Sequence, residues 1–252
     1  MLKNWDLIKE LTWSDFKLRY NNSILGFFWS FIKPLLMLTT LYIVFSLLIN
    51  IKIENYPLFL LLGIIIWNFF YESTTISMNN MIAKRSLIKN VYLQRKVLVI
   101  SSCLNALITL FLNLIIFFII ALVIGLKINL LGILILILMI ILLFIMSLSV
   151  SYILGAYYLK YRDLIHIWEV LLQIGFFITP IAYNTSIIPR EYLFVYMLNP
   201  IARVLTYSRN TLLYQLNPDI MGILFAIAFS LLLYIIGLII FKERSKYFAE
   251  EI

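Results

Sequence analysis

Uninterrupted apolar stretches long enough to cross a bilayer constrain this chain more than any motif in it. Near residues 35 to 51, 57 to 80, 98 to 125, 130 to 159, 165 to 184 and 220 to 241 the sequence runs on with almost no charge. Each run approaches the roughly twenty residues that a helix needs to traverse the hydrocarbon core. Lipid offers backbone groups no water, so only helices or closed barrels span it, and the alternating pattern of barrel strands is absent. The expected fold is all-α and integral to the membrane, with six transmembrane helices in a single domain over residues 1–252. Composition agrees: 63% of residues are hydrophobic and 13% charged, and the mean hydropathy is +1.02, far from the roughly half-apolar usage of soluble domains.

Lysine and arginine orient those spans. Lys3, Lys9, Lys17, Arg19 and Lys33 precede the first, and Lys84, Arg85, Lys89, Arg95 and Lys96 follow the second. Lys160 and Arg162 lie between the fourth and fifth, and Lys242, Arg244 and Lys246 follow the sixth. Six spans put all four groups on one face, which the positive-inside bias makes cytoplasmic together with both termini. Only Lys52, Lys127, Arg190, Arg203 and Arg209 remain for the opposite face. The net charge of +8 is thereby absorbed by topology, and no nucleic-acid partner is expected.

Residues 2 to 20 set Lys3, Asp6, Glu10, Ser14 and Lys17 at spacings of three and four beside Trp5, Ile8, Leu11, Trp13 and Phe16. That pattern predicts an N-terminal amphipathic interfacial helix, and it equally suits a helix packed on a protein surface. Residues 1–33 thus form this helix and the entrance to the first span. They lack the compact apolar core of a cleaved signal peptide, so the N-terminus is expected to be retained. The stretch from 185 to 219 carries Tyr192, Phe194, Tyr196, Tyr207 and Tyr214 but is broken by Pro189, Pro200 and Pro218. It predicts short re-entrant helices between the fifth and sixth spans, or a plain external loop.

Much chemistry is missing. None of the eight glycines precedes a lysine, so no phosphate-binding loop exists and any ATP must be used elsewhere. The single histidine, His166, and single cysteine, Cys103, exclude two-histidine and cysteine-rich metal sites as well as an internal disulfide. Glu72, late in the second span, and Asp163, His166 and Glu169 at the start of the fifth are the few ionisable groups near lipid. An intramembrane carboxylate suggests function, although Glu72 is also near enough to the boundary for helix bonding or water. Aromatic residues concentrate in the second span (Trp67, Phe69, Phe70, Tyr71) and the fifth (Phe176, Phe177, Tyr183). Sugar C–H faces pack on such rings, as lipid chains and interfacial belts also do.

Four blocks carry a resemblance. KLRYNNSILGFFWSFIKPLL at 17 to 36, LIKNVYLQRKVL at 87 to 98, YRDLIHIWEVLLQIGFFITPIAYNTSIIP at 161 to 189 and LNPIARVLTYSRNTLL at 198 to 213 resemble, in order, segments of the type-2 permeases of ATP-binding-cassette exporters. The branch is the one that moves lipid-linked polysaccharides. The resemblance implies a bacterial inner-membrane homodimer with two copies of a cytoplasmic ATPase subunit. By the same resemblance this chain would bind no cofactor, ATP and Mg staying on the partner, and the cargo would be an undecaprenyl-linked O-antigen, teichoic acid or similar glycan. Carried over by position, Lys84, Arg85, Lys89, Tyr92, Arg95 and Lys96 would couple to the ATPase. Tyr42, Phe45, Phe176, Phe177 and Tyr183 would line the channel, and Pro189, Tyr192, Tyr196, Pro200 and Tyr207 would form an outer gate. One departure is that Gln94, Arg95 and Lys96 stand where relatives commonly have Pro-Arg-Glu, which frees a backbone N–H and changes the local charge. A drug or lipid exporter of the same transporter class is an alternative, as is a membrane glycosyl or phosphoryl transferase. The singly scattered acidic residues disfavour the transferase.

Overall fold

In the computed structural model, residues 2–21, 25–85 and 95–248 are described, and among them every regular element is helical. α1 covers Leu2–Tyr20; a 3-10 turn, Gly26–Phe28, leads into α2, Trp29–Tyr42, which continues as a π-helical stretch, Ile43–Leu48. α3 is Tyr56–Ala83, α4 Lys96–Ile124, α5 Leu130–Tyr158 and α6 Leu164–Ile178. The short α7, Arg190–Tyr196, and α8, Pro200–Leu212, precede α9, Ile220–Arg244.

Among the described residues five helical runs are long and apolar enough to cross a membrane: Gly26–Leu48, Tyr56–Ala83, Lys96–Ile124, Leu130–Tyr158 and Ile220–Tyr247. The first begins well before residue 35, where the apolar pattern starts, so Pro34 lies inside a helix rather than ahead of one. The fifth apolar run differs more. Expected to reach residue 184, it stops as a helix at Ile178. Pro180 pushes Thr179 into an extended conformation, φ −78° and ψ 140°, because a residue before proline disfavours the helical region.

Other ends follow local chemistry. Asn129, Asn199 and Asp219 cap α5, α8 and α9 by accepting from backbone N–H groups two or three residues on, at 2.8 to 3.4 Å. Gly125 closes α4 in the left-handed conformation, φ +81°, the geometry glycine adopts without a Cβ penalty.

α3 is the central helix. From Leu58 to Trp67 every residue is buried, and its second half buries Ser73, Thr74, Thr75 and Ser77. Around it pack α2, α4, α5, α6 and α8, while α9 packs mainly on α5. Small residues permit the closest approaches: a Cβ at Gly237 of α9 would lie 2.7 Å from the Ser149 carbonyl oxygen of α5. α8 is buried along most of its length, whereas α7 exposes Tyr192, Phe194 and Val195. The bundle thus has an α1 end, carrying Lys84, Lys96 and Lys160, and an α8 end, where loops 49–55, 125–129 and 213–219 meet. There Tyr214 donates to Glu54 O at 3.3 Å, and Gln215 donates to Lys127 O at 3.0 Å.

Candidate functional site

A cavity of about 560 Å³ opens between α2, α3, α4 and α6. Aromatic walls come from Trp29, Trp67, Tyr71, Phe176 and Phe177, and neutral polar groups from Asn68, Thr109, Asn113 and Gln173. Gly175 shapes one wall, because a Cβ there would sit 2.8 Å from the Trp67 ring. Trp67 meets Phe176 edge-on at 6.1 Å between centroids, and Phe176 meets Phe177 at 5.4 Å. The α1 end of the cavity is charged. Arg19 and Glu72 pair in a bidentate fork, Nη1 to Oε2 at 2.9 Å and Nη2 to Oε1 at 2.7 Å, with Lys33 on the same lining. Such a fork is the strongest geometry a guanidinium and a carboxylate can adopt.

α1 reaches this place by packing on α4 with Ile8 and Thr12 buried. Asn105 donates to Thr12 O at 3.3 Å, and Thr12 Oγ1 donates to Ser101 O at 3.4 Å. Asp15 accepts from Lys84 Nζ at 2.6 and 2.5 Å and from Asn80 Nδ2 at 3.0 Å. The protein-facing stripe is therefore Ile8, Thr12, Asp15 and Arg19. Trp5 and Trp13, grouped by pattern with the apolar face, are about half exposed.

The α8 end holds a second constellation, built on the carbonyls that α6 frees by ending early. Tyr183 Oη lies 3.0 Å from Phe177 O and 2.8 Å from Ile178 O, and Tyr196 Oη donates to Ile178 O at 2.7 Å. The two hydroxyls are 3.0 Å apart. Tyr56 donates to Ala182 O at 2.7 Å. Arg209, 2% exposed, donates from Nη1 to Pro180 O, from Nη2 to Ile181 O at 2.8 Å and from Nε and Nη2 to Phe59 O at 3.1 and 2.7 Å. Its guanidinium carbon lies 3.5 Å from the centroid of the Phe59 ring. Burial pushes the Tyr196 phenol above its ordinary range, reinforced by its bond with Tyr183.

The residues carried over by resemblance are thus dispersed. Phe176 and Phe177 line the cavity, while Tyr42 packs against Tyr56 and Phe45 against the core. Tyr183 joins Tyr196 in the carbonyl collar instead. Pro189 precedes α7 and Tyr192 stands exposed on it, whereas Pro200 opens α8. Tyr207 is buried near Arg203 and Asp219, its hydroxyl 3.4 and 3.5 Å from them. In the basic set, Lys84 is engaged by Asp15, Arg95 lies over the Phe248 ring at 5.4 Å, Arg85 is exposed and Lys96 opens α4. Lys89 and Tyr92 lie outside the described residues.

Sequence reasoning assigned Arg203 and Arg209 to the face opposite the basic clusters and gave them no role, whereas they are 8% and 2% exposed. Their signal was visible: each stands in the buried, tyrosine-bearing segment that becomes α8. Asn68, Asn113 and Gln173 were also missed, because neutral amides inside apolar runs break no pattern.

Membrane-length helices beside an open cavity with aromatic and amide walls define a polytopic membrane protein. The chain belongs to the ABC-2 type transporter family, whose model matches residues 6–213. It is 29% identical over 247 residues to the O-antigen export system permease protein RfbA of Klebsiella pneumoniae, covering 98% of this chain and 95% of that one. It is 30% identical over 249 residues to the protein of the same name from Myxococcus xanthus, with the same coverage.

Proposed function

We propose that this chain is the membrane permease subunit of an ATP-driven exporter that carries a lipid-linked polysaccharide of the O-antigen type across the bacterial inner membrane. The observation that carries this reading is the near full-length similarity to two O-antigen export permeases. The cavity supports it, since rings for C–H faces, amides for hydroxyls and few charges suit a glycan that must move without sticking. In this reading the chain works as a homodimer, and two cytoplasmic ATPase subunits supply ATP and Mg. The α1 end is cytoplasmic with both termini, and the α8 end faces outward.

α6 completes a sixth crossing. Its fifteen residues rise only about 22 Å at 1.5 Å each, and the bonded segment beyond Ile178 carries the chain further. Non-helical backbone at that depth is tolerated where protein satisfies its carbonyls, as the collar does. α8, buried and enclosed by α3, α5 and α9, takes the role of a re-entrant helix, and α1 that of an interfacial helix anchored to the bundle. The partner ATPase pushes on residues 84 to 96. Because Lys84 holds Asp15, that push reaches α1 directly, and differential affinity of the partner for two permease states drives the change.

Co-purification with a cognate ATPase subunit, followed by ATPase assays with lipid-linked glycans, tests the assignment. Stimulation by undecaprenyl-linked glycan above that by glycan-free lipid is expected. Equal stimulation by both, or by drug-like amphiphiles alone, would replace the glycan exporter with a lipid or drug exporter.

A further inference from the structure

α6 lines the cavity but has few buried contacts within its own chain. Of its fifteen residues only Leu172 is buried, while Ile167, Val170, Leu171, Ile174, Phe177 and Ile178 are exposed. Near its start Trp168 Nε1 donates to Thr74 Oγ1 at 2.9 Å. Its other end runs into a non-helical stretch that is deeply buried, with Ile181 fully so. A helix with so few buried apolar contacts takes its orientation from its ends.

We propose that Arg209 is a positioning residue for the passage, fixing the stretch Thr179–Ala182 to the first turn of α3 and thereby setting the orientation of α6 and its cavity-facing rings. Three features carry this. The guanidinium bridges two elements, donating to Phe59 O on α3 and to Pro180 O and Ile181 O beyond α6. Only a rigid fork of donors reaches all three, and a lysine nitrogen is a single point. The charge lies beside the C-terminus of α6, where the helix dipole favours a cation. Room for it is specific, because a Cβ at Gly63 would stand 2.2 Å from Nη2 and 3.2 Å from Ile181 O. A side chain at 63 and the seated Arg209 therefore exclude each other.

The proposal rests on the export reading only for its effect on flux. The test uses the full-length chain in native membranes, with cysteine introduced at Ile181 or, on α4, at Phe117, both fully buried. The native Cys103 is itself buried and gives a low background. Arg209→Gln is expected to raise N-ethylmaleimide labelling at position 181 by about tenfold or more, the shift produced by losing one charged hydrogen bond, with position 117 unchanged. Arg209→Lys should give an intermediate rise. Gly63→Ala, with Arg209 retained, should reproduce the selective labelling and keeps the test open where Arg209→Gln folds poorly. No rise at 181 in either variant overturns the proposal, as does an equal rise at 117, which would make Arg209 a general support of the fold. The labelling requires neither glycan nor ATPase, so failure of the export reading leaves it unaffected. In the complex with its ATPase, Arg209→Gln should lower glycan flux while basal ATP hydrolysis persists.

Discussion

At the α1 end of the bundle, Arg19 and Lys84 meet carboxylates; at the α8 end, Arg203 and Arg209 meet backbone carbonyls and aromatic rings. Arg19 pairs with Glu72, and Lys84 with Asp15, in contacts that keep some solvent exposure, side chains being 13 to 29% accessible. Arg209 and Arg203 instead lie almost wholly inside, and no carboxylate among the described residues forms an ion pair with either. Arg203 donates to Met197 O at 2.5 Å and stacks on Phe225 at 4.4 Å. An ion pair between two side chains can open and re-form as helices shift, since both partners are mobile and water is near. A guanidinium seated on carbonyls of two elements has no such freedom, because leaving exposes several acceptors at once. The first arrangement suits an end that receives a push; the second suits an end that must hold its shape.

That contrast sets the order of the expected effects. Arg209→Met should be the most damaging, because Pro180 O and Ile181 O lose their side-chain partner at about 1–3 kcal/mol for each buried acceptor left unmet. A stability loss of roughly 3 kcal/mol or more is expected in thermal unfolding of the purified chain, with little dependence on salt. A loss below that of the Lys84 variant would break the contrast. Lys84→Met comes next. It leaves Asp15 half-buried with Asn80 alone, and about 1–2 kcal/mol is expected. Asp15→Asn, which removes the charge but keeps an acceptor for Asn80, should cost less in the same measurement.

How these regions were legible from sequence differs as well. Helix positions were readable from apolar runs, and the ends followed residues with local roles: Asn129, Asp219 and Asn199 as caps, Gly125 as a left-handed terminator. Burial was not readable. α3 is the least apolar of the membrane-length helices and yet the most buried, because in lipid an apolar surface gains nothing by facing protein, and small polar residues such as Ser73 and Thr74 permit close packing. Phe176 and Phe177, singled out in sequence by their aromatic clustering, both line the cavity. The collar was not, because it joins Tyr56, Phe59, Pro180, Tyr196 and Arg209, and no local period links residues so far apart. Arg203 and Arg209 were given no role for the same reason: the positive-inside count weighs a cation by position, whereas burial depends on what folds over it.

The smallest expected effect sharpens the contrast most, because it concerns the pair on the cavity wall. Arg19 and Glu72 are partly exposed, so Coulomb attraction is screened, and a coupling of about 0.5–1 kcal/mol is expected from a double-mutant cycle with Arg19→Met and Glu72→Gln. Rising ionic strength should shrink that coupling, while the Arg209 effect stays fixed. A coupling near 3 kcal/mol that ignores salt would mean that water does not reach the α1 end of the cavity. The two ends would then hold their cations by the same means, and the division between a yielding end and a fixed one would fall.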